Sequence, residues 1–159
     1  MTERTQSLMI VHGALVFLVG MAAGFPYAFV LIEKIAVWPI PGSIEWTPPG
    51  DERAWRMAHL EGVLNGLTLI AVAAVGNRLT LSPRLVAVVA WGLILTSWGN
   101  IIASVLGPIV GGRGLEFGDG PGNSIVYLLF IVAVFAVIAA MAIVCKGALA
   151  YRKGTGRSV

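Results

Sequence analysis

The strongest constraint on this chain is where its charges are not. Four stretches, 5–32, 62–77, 85–112 and 120–145, contain no Asp, Glu, Lys or Arg. A helix that crosses a bilayer needs roughly 17–25 mostly apolar residues. Three of the stretches reach that length, and the second does so once 57–61 are added. Only 12% of the 159 residues are charged and 57% are hydrophobic, where a soluble domain carries about 25% charged residues. The chain reads as an all-α integral membrane protein, a four-helix bundle in one domain over 1–159. The expected spans are about 8–32, 53–76, 85–110 and 124–145.

The first span reads as retained. Its apolar run exceeds the roughly 7–15 residues of a signal core, and no small-residue cleavage site precedes Glu33 and Lys34. Lys and Arg set the orientation. If the N-terminus, the 77–84 loop and the C-terminal tail share a side, that side carries Arg4, Arg78, Arg84, Lys146, Arg152, Lys153 and Arg157. The other side carries Lys34, Arg53, Arg56 and Arg113. Seven bases against four predict an N-in, C-in protein, with a bacterial inner (cytoplasmic) membrane as its expected location. The pI near 9.4 then reflects bases that face anionic lipid. No basic patch interleaved with aromatics points to nucleic acid. Cys145 is the single cysteine, which excludes an intrachain disulfide and thiolate metal sites. It reads as an inert apolar filler.

The second span opens with Met57, Ala58, His59, Leu60, Glu61, Gly62, Val63, Leu64, Asn65 and Gly66. Polar groups at such depth cost several kcal/mol unless partnered, which marks them as functional candidates. At about 100° per residue, His59 shares a face with Gly62, Val63 and Gly66, while Glu61 and Asn65 share another. The two glycines leave a flat gap beside the imidazole, to be filled by a partner helix or by a planar ligand. Glu61 either pairs with Arg53 or Arg56 in the headgroup region or faces a pocket. The third span carries Thr96, Asn100 and Ser104, four residues apart, with Gly92 one turn earlier. They form either a pocket-lining stripe or an ordinary interhelical hydrogen-bond seam. Trp91 and Trp98 lie on a neighbouring face.

The remaining features read as scaffold. His12 is a histidine near the membrane boundary satisfied by a carbonyl or water, or else a relay or cofactor-supporting group. Gly20 and Gly24 favour close helix approach, and Pro26 is expected to kink the outer end of the first span. The connection over 33–55, rich in Trp and Pro, is expected either to cap an opening between helices or to lie along the interface. Asp51 should cap the second helix. Residues 77–83 form a tight inner turn and 111–123 an irregular outer loop. The fourth span is lipid-facing or scaffold, and 151–159 is a solvated basic tail.

One histidine cannot build a zinc site, which wants three or four protein ligands. One histidine can hold a haem iron, because the porphyrin supplies four nitrogens. The combination of His12-Gly13, Trp55, His59, Asn65-Gly66, Trp98-Gly99-Asn100 and Arg113-Gly114-Leu115-x-Phe117-Gly118 resembles the styrene oxide isomerase family over most of the chain. The resemblance implies a trimeric membrane protein that binds haem b near its subunit interfaces and turns an aryl epoxide into an aldehyde. It implies that His59 is the axial ligand of ferric haem iron. It further implies that Asn65 orients the substrate and that Asn100 matches an asparagine of the third span. Gly62 and Gly66 would give the ring plane a place to lie. Two positions depart from the pattern. Thr96 stands where the family has an aspartate, and Ser104 where it has a tyrosine. The partners implied are the lipid bilayer, a hydrophobic epoxide and further copies of the chain.

The chemistry implied is a Meinwald rearrangement. A Lewis-acidic iron draws on the epoxide oxygen, the ring opens at the carbon that best bears positive charge, and a 1,2-hydride shift gives the carbonyl. Two other readings stand beside it. One is a non-catalytic haem protein, a sensor or carrier, and the other is a four-helix protein without a cofactor.

Overall fold

In a computed structural model, which describes residues 1–155, the chain forms four helices. They are α1 Glu3–Ile32, α2 Glu52–Ala74, α3 Pro83–Val110 and α4 Pro121–Thr155. Each is long and apolar enough to cross a membrane. Among the described residues the only β-type pairing is a single antiparallel bridge between Ile35 and Ile44.

The helix ends follow local chemistry. α1 starts at Glu3 rather than near Leu8, because the Thr2 hydroxyl accepts a hydrogen bond from the Thr5 amide at 3.3 Å. Asp51 caps α2 as expected, its carboxylate accepting from the Ala54 amide at 2.8 Å. α1 continues through Pro26 to Ile32. The turn expected at 77–83 begins with one 3-10 turn, Gly76–Arg78, which starts a residue earlier, and it buries Leu79. α4 runs on to Thr155, so residues 151–155 of the expected tail are helical, and 151–154 are exposed, as a solvated segment should be. Arg152 and Lys153 in its last turn favour that extension, since cations suit the negative end of the helix dipole. Residues 156–159 of the expected tail lie outside the described residues.

Three contacts gather one end of the bundle. The Gln6 amide donates to the Ala73 carbonyl at 2.7 Å, the N-terminal ammonium to Gly76 at 3.3 Å, and the Thr80 amide to Gly147 at 3.1 Å. The N-terminus, the turn after α2 and the late part of α4 therefore share an end. The loops 33–51 and 111–120 share the other.

α1 and α2 pack most extensively, and glycine makes this possible. A Cβ on Gly20 would stand 2.7 Å from the Gly62 backbone, and one on Gly66 would stand 2.6 Å from the Gly13 carbonyl oxygen. Only paired small residues let two backbones approach so closely. α3 packs on α2 and α1, and α4 packs chiefly on α3. Met9, Leu69, Val89, Leu93 and Ala140 form the main buried cluster. Phe135 and Ile138 of α4 point outward, as do Leu18 and Phe25 of α1. Such surface suits lipid or a neighbouring chain.

Candidate active site

His59 faces α1, where its Nδ1 lies 2.9 Å from the Gly20 carbonyl oxygen. A carbonyl only accepts, so Nδ1 carries a proton. In the neutral ring the lone pair is then on Nε2. Nε2 has no hydrogen-bond partner among the described residues. An imidazole that donates from one nitrogen to a backbone carbonyl is oriented as metal-binding histidines commonly are. Gly24 keeps this side narrow, since a Cβ there would stand 3.2 Å from Nδ1. Among the described residues no three His, Cys, Asp or Glu side chains gather, so any metal at His59 would have this ring as its one ligand from such groups.

The expected gap beside His59 is closed. Gly62 and Gly66 are buried against Gly20 and Gly13, so the partner helix takes that surface and a planar ligand has no access to it. Of the two readings of that gap, the structure has the partner helix.

Asn65 lies six residues beyond His59, about 120° around the helix, and meets α3 instead of α1. Its Nδ2 donates to the Glu61 carbonyl at 2.8 Å and to Glu61 Oε2 at 2.7 Å. Its Oδ1 accepts from Asn100 Nδ2 at 3.4 Å. The carboxyl beside Nδ2 fixes which end of the amide faces which way. Glu61 thus does not pair with Arg53 or Arg56, one of the two arrangements expected of it. Arg56 reaches Glu52 at 3.7 Å, and Glu61 Oε1 has no partner among the described residues.

The stripe on α3 divides. Thr96 is buried and donates toward the Gly92 and Ala133 carbonyls, at 2.9 and 3.0 Å. It belongs to the α3–α4 seam, not to a site shared with Ser104. The reason is angular, since four residues turn a helix about 40° past a full circle. Over two such steps Ser104 leaves the α4 face that Thr96 occupies. Of the three buried hydroxyls on α3, Thr96 and Ser97 bond back to the carbonyl four residues earlier, and Ser104 does not. Ser104 Oγ is buried without any partner among the described residues.

Ser104 and Glu61 line one cavity of about 510 Å³. Its walls are apolar, with Met57 from α2, Pro108 from α3, and Val126 and Phe130 from α4. It extends to the loop end of the bundle, where Gly50, Arg53 and Arg113 border it. His59, Asn65, Asn100 and Thr96 do not line it. The long connection contributes only its last residues. Pro48 is buried, a side chain at Gly50 would collide with Pro108, and the Pro49 carbonyl accepts from the Trp55 indole at 2.8 Å. Trp38, at 92% exposure, stands away. The connection is therefore part cap and part exposed finger.

Several partnerships escaped the sequence. Asn123 organises the outer loop, accepting from the Gly114 amide at 2.8 Å and donating to the Glu116 and Gly118 carbonyls at 3.0 Å each. Its place one turn inside a helix after a glycine-rich run was the available signal. Ser97 donates to the Leu93 carbonyl, with a longer contact to Asn65 at 3.4 Å. His12 accepts from the Trp98 indole at 3.0 Å, a partner other than the carbonyl or water expected for it.

Comparison with known proteins agrees with the motif pattern. A family model described as styrene oxide isomerase matches residues 5–149. A styrene-oxide isomerase of Pseudomonas fluorescens is 30% identical over 141 residues, covering 86% of this chain and 82% of that protein. With a match across nearly all of its four helices, the chain belongs to the styrene oxide isomerase family.

Proposed function

We propose that the chain isomerises hydrophobic epoxides to carbonyl compounds inside the bilayer, with ferric haem b held by His59. By family the chain is an epoxide isomerase; the cofactor, the route and the assembly are our reading. The observation that carries it is the state of His59, with Nδ1 tied to the Gly20 carbonyl and Nε2 without a partner among the described residues. That donor set fits haem, which needs only axial ligands from the protein. Bound there, haem would supply a Lewis-acidic iron for the epoxide oxygen.

The rest falls to the chain. The isomerisation conserves atoms and electrons: one ring C–O bond opens, a hydride moves to the neighbouring carbon, and a C=O bond forms. Water would divert the developing cation to a diol, so the site must be dry. Met57, Val126 and Phe130 supply apolar walls for that purpose. The Ser104 hydroxyl, with no acceptor among the described residues, is the donor for the substrate oxygen. Asn65 has given both amide hydrogens to Glu61, so it works by holding the Glu61 side chain at the cavity wall, while its oxygen holds Asn100. Thr96 takes no part, being committed to α4.

His59 faces α1, while the cavity lies among α2, α3 and α4. This separation supports an assembly in which the cofactor held by one copy meets the cavity of the next. The form we propose is a homotrimer, N-in and C-in, in a bacterial inner membrane. Its partners are lipid and substrate.

The test is a spectrum and a substrate panel on detergent-purified protein. The wild type should show a Soret band and His59→Ala should lack it. Asn65→Ala should keep the band and lose turnover by roughly tenfold or more, as for one misplaced catalytic group. Failure of the fully loaded protein to convert any aryl, alkyl or terpene epoxide would overturn the reading. Tight azide binding without turnover would identify a sensor or carrier instead.

A further inference from the structure

The cavity holds two polar atoms without a partner among the described residues, the buried Ser104 hydroxyl and one oxygen of the half-buried Glu61 carboxyl, and they ask for different things. Ser104 is 6% exposed, and its hydroxyl has no partner among the described residues. Its neighbours Thr96 and Ser97 direct theirs to helix carbonyls, so the lone hydroxyl is a departure from the local habit of α3. Glu61 is held from behind by Asn65, which occupies Oε2 and leaves Oε1 without a partner among the described residues. Both residues line the same apolar space of about 510 Å³, within the range of cavities that take a drug-sized ligand. Buried polar groups in native proteins are bonded in nearly all cases, so the buried Ser104 hydroxyl calls for an explanation; Glu61 is half-buried and turns its open oxygen toward the same space.

A bare epoxide meets half of this demand. Its ring oxygen only accepts, so it satisfies the Ser104 hydroxyl and offers nothing to an acceptor. Its carbonyl product only accepts as well. As a carboxylate Glu61 only accepts, so a substrate that satisfies its Oε1 must also carry a donor.

We propose that Glu61 and Ser104 together select an epoxide that bears a hydroxyl group, an epoxy alcohol rather than a hydrocarbon epoxide, with Ser104 donating to the ring oxygen and Glu61 accepting from the hydroxyl. The proposal rests on the reading of this cavity as the place where an epoxide binds. Asn65 is the positioning residue that aims Glu61. Arg53 and Arg113 border the same cavity, toward its loop end. Neither lies within ion-pair distance of Glu61 among the described residues, so the carboxyl is left for a ligand.

The experiment compares three matched epoxides on the haem-loaded protein. One is a long-chain hydrocarbon epoxide, the second carries a hydroxyl, and the third is the O-methyl ether of the second. The alcohol should exceed the other two in kcat/KM by about tenfold or more, the worth of one hydrogen bond to a carboxyl acceptor. The ether tests the donor, because methylation replaces the O–H hydrogen with a methyl group and leaves the oxygen an acceptor; Glu61→Gln controls for the added bulk. In Glu61→Gln the Asn65 contact can persist through the amide oxygen while an N–H₂ group faces the cavity. There the preference for the alcohol should collapse toward one. A second, independent measurement in the wild type is inhibition by unreactive saturated compounds, where the alcohol should compete better than its ether by a similar factor. Equal turnover of all three epoxides overturns the proposal and leaves epoxide isomerisation standing. The proposal also fails if Glu61→Gln slows all three equally, since Glu61 would then act on the developing cation. No turnover of any of them, with haem bound, overturns the parent reading and this one together.

Discussion

A histidine that gives its Nδ1 proton to a backbone carbonyl has its ring plane set by a helix and not by another side chain. At His59 that carbonyl belongs to Gly20, on the neighbouring span. The sequence singled out His59, Asn65, Asn100 and Ser104 as polar residues at membrane depth, and depth alone sufficed for that. Their partners were not legible. Whether a hydroxyl faces a cavity or a neighbouring carbonyl depends on some tens of degrees of helix rotation, and four-residue spacing blurs that distinction. Thr96 is the instructive case. Its donation to Ala133 should be worth about 0.6 kcal/mol, as for an average interhelical bond in a membrane protein. Thr96→Val should lower stability in an unfolding titration by that order and leave binding of the proposed haem intact. A loss of turnover beyond what this destabilisation explains would return Thr96 to the site.

At the scale of the element, the helices were readable because uncharged length is a blunt and reliable signal. Their ends were less so, as α4 shows by running past Cys145 to Thr155. The glycine spacing signals close approach without naming a partner. The match of Gly13 with Gly66 and Gly20 with Gly62 is a three-dimensional fact that no single helix contains. It gives a sharp contrast. Gly20→Ala places a methyl 2.7 Å from the Gly62 backbone and should force α1 away from α2, whereas Gly92→Ala meets Ala140 at an ordinary 3.4 Å. Gly20→Ala should cost about 1–3 kcal/mol, the usual effect of overpacking, and should speed loss of the proposed haem. Gly92→Ala should change either quantity little. Unfolding in mixed detergent and transfer of haem to apomyoglobin measure the two effects.

For the whole molecule, one chain leaves much apolar surface uncovered. α4 packs chiefly on α3, and Phe135 is 67% exposed. Lipid suits such a surface, and so do other copies. Native mass spectrometry should find three chains per particle, and a monomer that retains full turnover would contradict the proposed assembly. Reporter fusions at the two termini should both read cytoplasmic. The α1–α2 contact has one more consequence. If His59 carries haem, the bond that steadies the pigment is anchored across a gap only two glycines wide. Solvents, lipids or temperatures that loosen this pair should bleach the protein first, while its helices are still intact. The fading of its colour would then serve as a gauge of how tightly the first two spans are held.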